Sequence, residues 1–484
     1  MKEQSIGIDL GSYYSRISYF SDGVIEIIPN EDGEEFIRSC VAFTDDGIDV
    51  GKMAVHKDAE DLNNTAFGIF KLLGRSFNDP MVQSARRELP CNIVNGGGKP
   101  CIRVKLRKQQ KLFSPEEIIS MIIRKLMDSA EKYFGGSVDN AVITVPQYFN
   151  DLQKSAIRYA GELAGIHVLD IIEGATASSL AYGYMSHLES NATAPLERGN
   201  YHVTILVLEL NYYTFSTSLI HFKGIEFELS YLQGHSLGCE DIDILIVKYL
   251  ASVFKKQHSI DVTVNSSSLR RLKSMCNQLK VKLEANSVAW CKIESFHEGI
   301  DFYFSLSRDQ YLKLLEGFSS KMLETINLVV NSESTSNQEV KEVVVIWGTT
   351  PIPGITGLIS DHLQGKKVIS KNSQPFAFSY GAALQANTIQ RLGDNLPGIS
   401  ANMQVPSQSI WENHGRPMQS LHNSYLWGAE ESHHFDSEHV RLSQPEPDFP
   451  MSTYDSNTQR YEEQRFLWNV HDLSVIEKER NPDS

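Results

Sequence analysis

Strand-like and helix-like patterns of apolar residues alternate from residue 5 to about 390, which predicts an α/β architecture. Ile6-Gly7-Ile8-Asp9-Leu10 reads as a short buried strand, a polar turn follows, and Ser15-Arg16-Ile17-Ser18-Tyr19-Phe20 alternates as a second strand. This is a β-turn-β unit with an acid at the end of its first strand. The clearest helix covers 115–134. Ser114 caps it, Pro115 takes the first helical position, Glu117 completes a capping box, and Gly135-Gly136 stops it. Ile118, Ile119, Ile122, Ile123, Leu126 and Met127 form its apolar stripe. A strand, Asn140-Ala141-Val142-Ile143-Thr144-Val145, ends at Pro146.

A second β-turn-β unit is predicted at 203–220, with Val203 to Glu209 as its first strand and Phe215 to Ile220 as its second. Asp9-Leu10 and Glu209-Leu210 are the same device, an acid-Leu pair before a tight turn. The echo is weak, but it favours two related lobes facing a cleft. Beyond about 390 periodicity stops. Residues 401–484 hold 14 Asp and Glu against 6 Lys and Arg, a net of −8, in a stretch rich in Ser, Asn, Gln, Pro and His. A disordered acidic tail is expected there, with Tyr425-Leu426-Trp427 and Phe466-Leu467-Trp468 as aromatic islands that could dock.

Composition removes several classes. A net charge of −15 over 484 residues argues against a nucleic-acid surface, which needs a concentrated basic face. The one basic run, from Arg103 to Lys111, alternates with apolar residues and reads as a solvated edge hairpin. Cys40, Cys91, Cys101, Cys239, Cys276 and Cys291 show no metal-ligand spacing and suit free thiols in a reducing compartment. Met1-Lys2-Glu3-Gln4 runs straight into a strand pattern and no run reaches 18 apolar residues, so neither a secretory signal nor a membrane span is expected, and the cytoplasm or nucleus is the expected location.

Seven segments then settle which family the pattern resembles. They are Gly7-Ile8-Asp9-Leu10-Gly11-Ser12-Tyr13-Tyr14-Ser15; Leu73-Gly74-Arg75; Thr144-Val145-Pro146-Gln147-Tyr148-Phe149-Asn150-Asp151; Thr176-Ala177 with Leu180-Ala181-Tyr182-Gly183; Leu237-Gly238-Cys239-Glu240-Asp241; His297-Glu298-Gly299-Ile300-Asp301-Phe302; and Ser379-Tyr380-Gly381-Ala382-Ala383. In this order they resemble the ATPase domain of Hsp70 chaperones. The resemblance implies an actin-like ATPase (ribonuclease H-like) fold, two lobes each with a five-stranded sheet around a cleft that holds ATP. Lobe I is expected over 1–187, lobe II over 188–390 with its last helix returning toward lobe I, and the tail over 391–484. The family's acidic-apolar linker is not recognisable after Leu392-Gly393-Asp394, and the peptide-binding β-sandwich is expected to be absent. An arginine the family offers to J-domain partners falls on Asp170.

Phosphoryl transfer in such a cleft needs glycine-lined turns around the phosphates, carboxylates for hydrated Mg²⁺, a cation at the transferred group and a carboxylate that orients water. By resemblance, the residues that would meet nucleotide are Gly11, Ser12, Tyr13, Thr214, Gly238, Glu240, Lys280 and Gly348, with Asp9 and Glu209 toward Mg²⁺. Asp9 has a second reading, a carboxylate that merely caps a turn. Much of the machinery is replaced. Tyr13 stands for a small Thr, and the family's triple glycine falls on Asn211-Tyr212-Tyr213. Glu209 replaces an aspartate conservatively and Ser216 replaces another outright, and the catalytic cation falls on Phe70, with Lys71 one residue along and no simple substitute because neighbours point in different directions. The water-orienting Glu and its Pro fall on Gly174 and Ala175, beside Glu173. The nucleoside side reads Trp347-Gly348-Thr349-Thr350-Pro351, with Lys280 between Asn277 and Glu284, and Ser373-Gln374-Pro375-Phe376 further on.

The leading expectation is a chaperone-related protein without an ATPase cycle or cofactor, acting through protein partners such as chaperones or co-chaperones. An atypical ATP-binding chaperone with weak ATPase activity, using ATP or ADP with Mg²⁺, is the alternative. An actin-like or sugar-kinase relative with its own substrate is the third, disfavoured by the matching segments. Tyr212, Tyr213 and Trp347 are expected to fill the cleft from within.

Overall fold

Each predicted β-turn-β unit starts a sheet, and the two sheets share one strand order. In the computed structural model, strand Ser5–Leu10 pairs antiparallel with Tyr14–Ser21, which pairs antiparallel with Val24–Ile27. On its other side Ser5–Leu10 runs parallel to Asn140–Val145, and that strand to His167–Glu173. The second sheet places His202–Leu210, Phe215–Lys223, Glu226–His235, Val340–Trp347 and Val368–Ile369 in the matching positions. A two-residue strand, Ile37–Arg38, also pairs with Tyr14–Ser21 and makes the first sheet six-stranded instead of five. Register repeats too. Asp9 faces Arg16 in the first hairpin and Glu209 faces Ser216 in the second. The weak sequence echo is a structural duplication.

The structure describes residues 4–54, 62–89, 91–191, 202–223, 226–235, 237–331, 340–348, 351–370 and 376–393. All of them belong to one compact unit, Met1–Ser420. The last helix, Ala377–Gly393, runs past the expected start of the tail at 391; the rest of the tail and its aromatic islands lie outside the described residues.

Local signals account for the helices around the sheets. In helix Pro115–Phe134 the Ser114 side chain accepts from the Glu117 amide, the Glu117 carboxylate accepts from the Ser114 amide, and Gly135 ends the helix in the left-handed region at φ 66°. Its predicted stripe is buried against the first sheet's core. A second core forms around the other sheet, with Phe215, Leu272, Phe302, Tyr311 and Met322. A third joins them: Val142 and Ile172 of the first sheet meet Ile205, Val207 and Ile346 of the second through Ala177, Phe378 and Ala382 on two helices. Those helices, Gly174–Asn191 and Ala377–Gly393, touch closely enough that a Cβ at Gly381 would lie 1.9 Å from the Ala177 carbonyl oxygen. Any side chain at Gly381 would force the helices apart.

The basic run forms a hairpin, as predicted, but its position differs. Lys99–Leu106 is the middle strand of a three-stranded sheet between Asn92–Gly96 and Gln109–Phe113. Its alternate residues Ile102, Val104 and Leu106 are buried, and of the hairpin's two strands Gln109–Phe113 is the edge.

Candidate functional site

The two hairpin turns, residues 11–14 and 211–214, face one another, and tyrosines meet between them. The Tyr13 and Tyr212 rings stack with centroids 4.8 Å apart and planes 22° from parallel. Tyr212 meets Tyr213 edge-on at 4.8 Å. The second turn is also tied to the helix behind it: the Asn211 and Tyr212 carbonyls accept from the amides of Cys239 and Glu240 at 3.0 and 2.9 Å. Those amides open helix Cys239–His258, so the turn satisfies donors that a helix start otherwise leaves free.

Around the turns a cavity of about 60 Å³ remains. Of the residues singled out from the sequence, Asp9, Gly11, Ser12, Tyr13, Gly174, Glu209, Asn211, Tyr212, Tyr213, Thr214 and Gly348 line it. Gly238, Glu240, Lys280 and Trp347 do not.

Both acids are buried and engaged. Asp9 pairs with the Arg16 guanidinium at 3.5 Å and accepts from Thr144 Oγ1 at 3.1 Å. Burial pushes its pKa up, and Arg16 pulls against that shift. Glu209 accepts from Ser178 and Ser216 at 3.2 and 3.3 Å. Burial raises its pKa to about 7 despite those two hydroxyls, and the Glu173 and Asp9 charges push the same way.

Glu240 behaves in the opposite way. Although burial works against the charge, Lys273 at 2.9 Å and Lys71 at 3.1 Å hold its pKa down at about 2. Lys71 belongs to the 3₁₀ turn Ile69–Lys71. Lys71 and its neighbour Phe70 point different ways. Phe70 turns into the first core, near Phe149, while Lys71 reaches Glu240 and sits 4.4 Å over the Tyr213 ring. The two neighbours thus serve different parts of the fold, one the core and one the Glu240 ion pair.

Two other expected cleft residues belong to the second lobe's interior. Trp347 is packed in its core and donates from Nε1 to Ser370 at 2.7 Å, so only Tyr212 and Tyr213 of the three predicted rings enter the cavity. Lys280 forms a buried pair with Asp243 at 3.0 Å. Gly238 donates from its amide to Asp241, and a Cβ there would stand 2.4 Å from the Tyr212 carbonyl. Glu173 pairs with Lys154 at 2.7 Å and Gln147, and Asp170 accepts from Gln385 at 3.1 Å.

The sequence reading missed Arg16, Arg38, Thr144 and Lys273. Arg16 was legible as the cross-strand partner of Asp9 once the hairpin register was written out. Lys273 and Lys280 sit seven residues apart on helix Ser266–Ala285, hence on one face, which placed both beside the Glu240 and Asp243 helix.

A family model described as Hsp70 protein matches residues 5–395. The chain belongs to the Hsp70 family. Its ATPase domain is therefore of the actin-like fold, and the duplicated sheets are the two lobes of that fold. Among relatives of this Hsp70-family chain, a heat shock 70 kDa protein of Neurospora crassa is 38% identical over 383 residues, 79% of this chain and 58% of the relative. A heat shock cognate 70 kDa protein 3 of Dictyostelium discoideum is 35% identical over 399 residues, 82% of this chain and 62% of the relative. A ribosome-associated molecular chaperone of Eremothecium gossypii is 34% identical over 393 residues, 81% of this chain and 62% of the relative. The chain thus spans about 58% of the Neurospora relative's length. Among the described residues, no helix is long and apolar enough to cross a membrane.

Proposed function

We propose that this Hsp70-family protein is chaperone-related, works through protein–protein contacts, and runs no ATPase cycle. The observation that carries the reading is the Tyr13–Tyr212 stack, which occupies the space between the two turns. The residues present fit ATP with Mg²⁺ poorly. A cavity of about 60 Å³ has room for a few waters, whereas pockets for ligands of nucleotide size run to roughly 300–1,000 Å³. Asp9 is already neutralised by Arg16. Glu209, with a pKa of about 7, is a weak ligand for a hard cation. Lys71, next in sequence to the position of the family's cation, is engaged by Glu240. Protein partners follow from the family, and the name of the Eremothecium relative, a ribosome-associated molecular chaperone, points to the same class. Six cysteines outside any disulfide, five of them buried, suit the cytoplasm or nucleus.

A second reading, an atypical ATP-binding chaperone with weak ATPase activity, rests on one observation. Asp9, Thr144 and Glu209 share the cavity wall, and a carboxyl with a pKa of about 7 is suited to accept a proton near neutrality. ATP turnover by the purified chain with Mg²⁺ separates the two. We expect none above background; turnover that disappears in Asp9→Ala would establish the second reading and sink the first.

A further inference from the structure

We propose that the chain carries its own interlobe latch, a stacked tyrosine pair capped by cations and backed by a shared glutamate, which keeps the lobes closed with no ligand between them. The proposal deepens the reading above, resting on it only for the point that protein side chains occupy the cleft.

Rings run from one lobe to the other without a break. Phe36 meets Tyr14 at 4.5 Å, Tyr14 meets Tyr13 at 4.8 Å, Tyr13 meets Tyr212 at 4.8 Å, and Tyr212 meets Tyr213 at 4.8 Å. Tyr13–Tyr212 is the contact between lobes, and it is the one with near-parallel planes. Two π faces brought together repel through their quadrupoles unless offset or polarised from outside. Here cations sit at both rings. The Arg38 guanidinium lies 3.5 Å from the Tyr13 centroid, and Lys273 Nζ lies 5.7 Å from that of Tyr212. Each cation attracts the ring beside it.

A second link runs in parallel. Lys71 comes from the first lobe, Glu240 and Lys273 from the second, and Glu240 accepts from both lysines at 3.1 and 2.9 Å. Lys71 Nζ also lies over Tyr213. The lysines that flank the tyrosines are therefore the lysines that hold the glutamate. Separating the lobes must break stack and ion pair in one step, so a change on one side is felt on the other.

Amide hydrogen exchange of the full chain, without nucleotide, tests this. The Ser39 amide, which donates to the Tyr13 carbonyl, reports the first lobe, and the Glu240 amide, which donates to the Tyr212 carbonyl, reports the second. Tyr212→Leu is expected to speed exchange at Ser39, and Tyr13→Leu at Glu240, each about tenfold as for loss of a ring pair. The double variant should exceed neither by much, and Tyr→Phe at either position should leave both amides near wild type. Should a Leu variant fail to fold, Glu240→Gln, which removes the charge that both lysines share and leaves every ring in place, is expected to speed Ser39 exchange severalfold. Exchange that rises only in the mutated lobe, or Phe variants as fast as Leu, would overturn the latch. Since no nucleotide enters the experiment, ATP turnover could defeat the proposed function and leave these outcomes standing.

Discussion

Glu209 stands over Gly174: a Cβ built at position 174 would lie 2.8 Å from Glu209 Oε2 and 3.1 Å from the Phe378 ring. By resemblance, position 174 is where the family carries a carboxylate, and position 209 is where it carries a shorter one. The longer side chain at 209 here reaches into room that a glycine at 174 leaves open. The two replacements fit each other.

That fit predicts a coupled pair. Gly174→Ala is expected to destabilise the protein by about 1–3 kcal/mol, because the Glu209 carboxyl is buried and held by two serines and cannot simply swing aside. Adding Glu209→Asp should recover part of that loss. Urea unfolding of the two single variants and the double variant reads this directly; strictly additive effects would show that the residues do not press on one another.

Glu209 also predicts a pH dependence. Its folded pKa is about 7 against an ordinary 4.5. Between those values the unfolded chain has released a proton that the folded chain keeps, so stability declines as pH rises from about 4.5 to about 7. The full effect is up to roughly 3 kcal/mol. Glu209→Gln should remove this slope, and unfolding curves at several pH values for both proteins check it. Parallel profiles would mean that Glu209 is ionised throughout.

Lys280 is expected to be structural. Lys280→Ala leaves the Asp243 carboxylate buried without its cation, which should destabilise by about 3–5 kcal/mol. Lys280→Met combined with Asp243→Leu should be far milder, because the burial penalty then disappears with the charges. A double variant as unstable as the single one would contradict a simple ion-pair role.

Restoring glycines at Asn211, Tyr212 and Tyr213 together should lower the melting temperature by several degrees, since it removes both rings of the second turn from the interlobe contact. Added ATP·Mg²⁺ should recover little of it, because Asp9 remains paired with Arg16 and Phe70 remains in the core. Thermal shift with and without nucleotide measures both effects; an unchanged melting temperature would mean that the rings contribute nothing.

What the sequence determined by itself is what depends on neighbouring residues. Helix Pro115–Phe134 was legible from Ser114 to Gly135 because caps and the 3.6-residue stripe are encoded within a few turns. Both hairpins, and the acids that end their first strands, were legible for the same reason. That Tyr212 and Tyr213 would crowd the cleft followed from their place in the second turn. Tertiary structure decided where the remaining side chains point. Phe70 and Lys71 are adjacent in sequence, yet one enters the core and the other reaches Glu240, 169 residues away. Trp347 ends its strand on the core side and bonds to Ser370, and Lys280 finds Asp243, 37 residues off, instead of the cleft. Such partners come from different elements, and only their packing fixes which cation meets which acid.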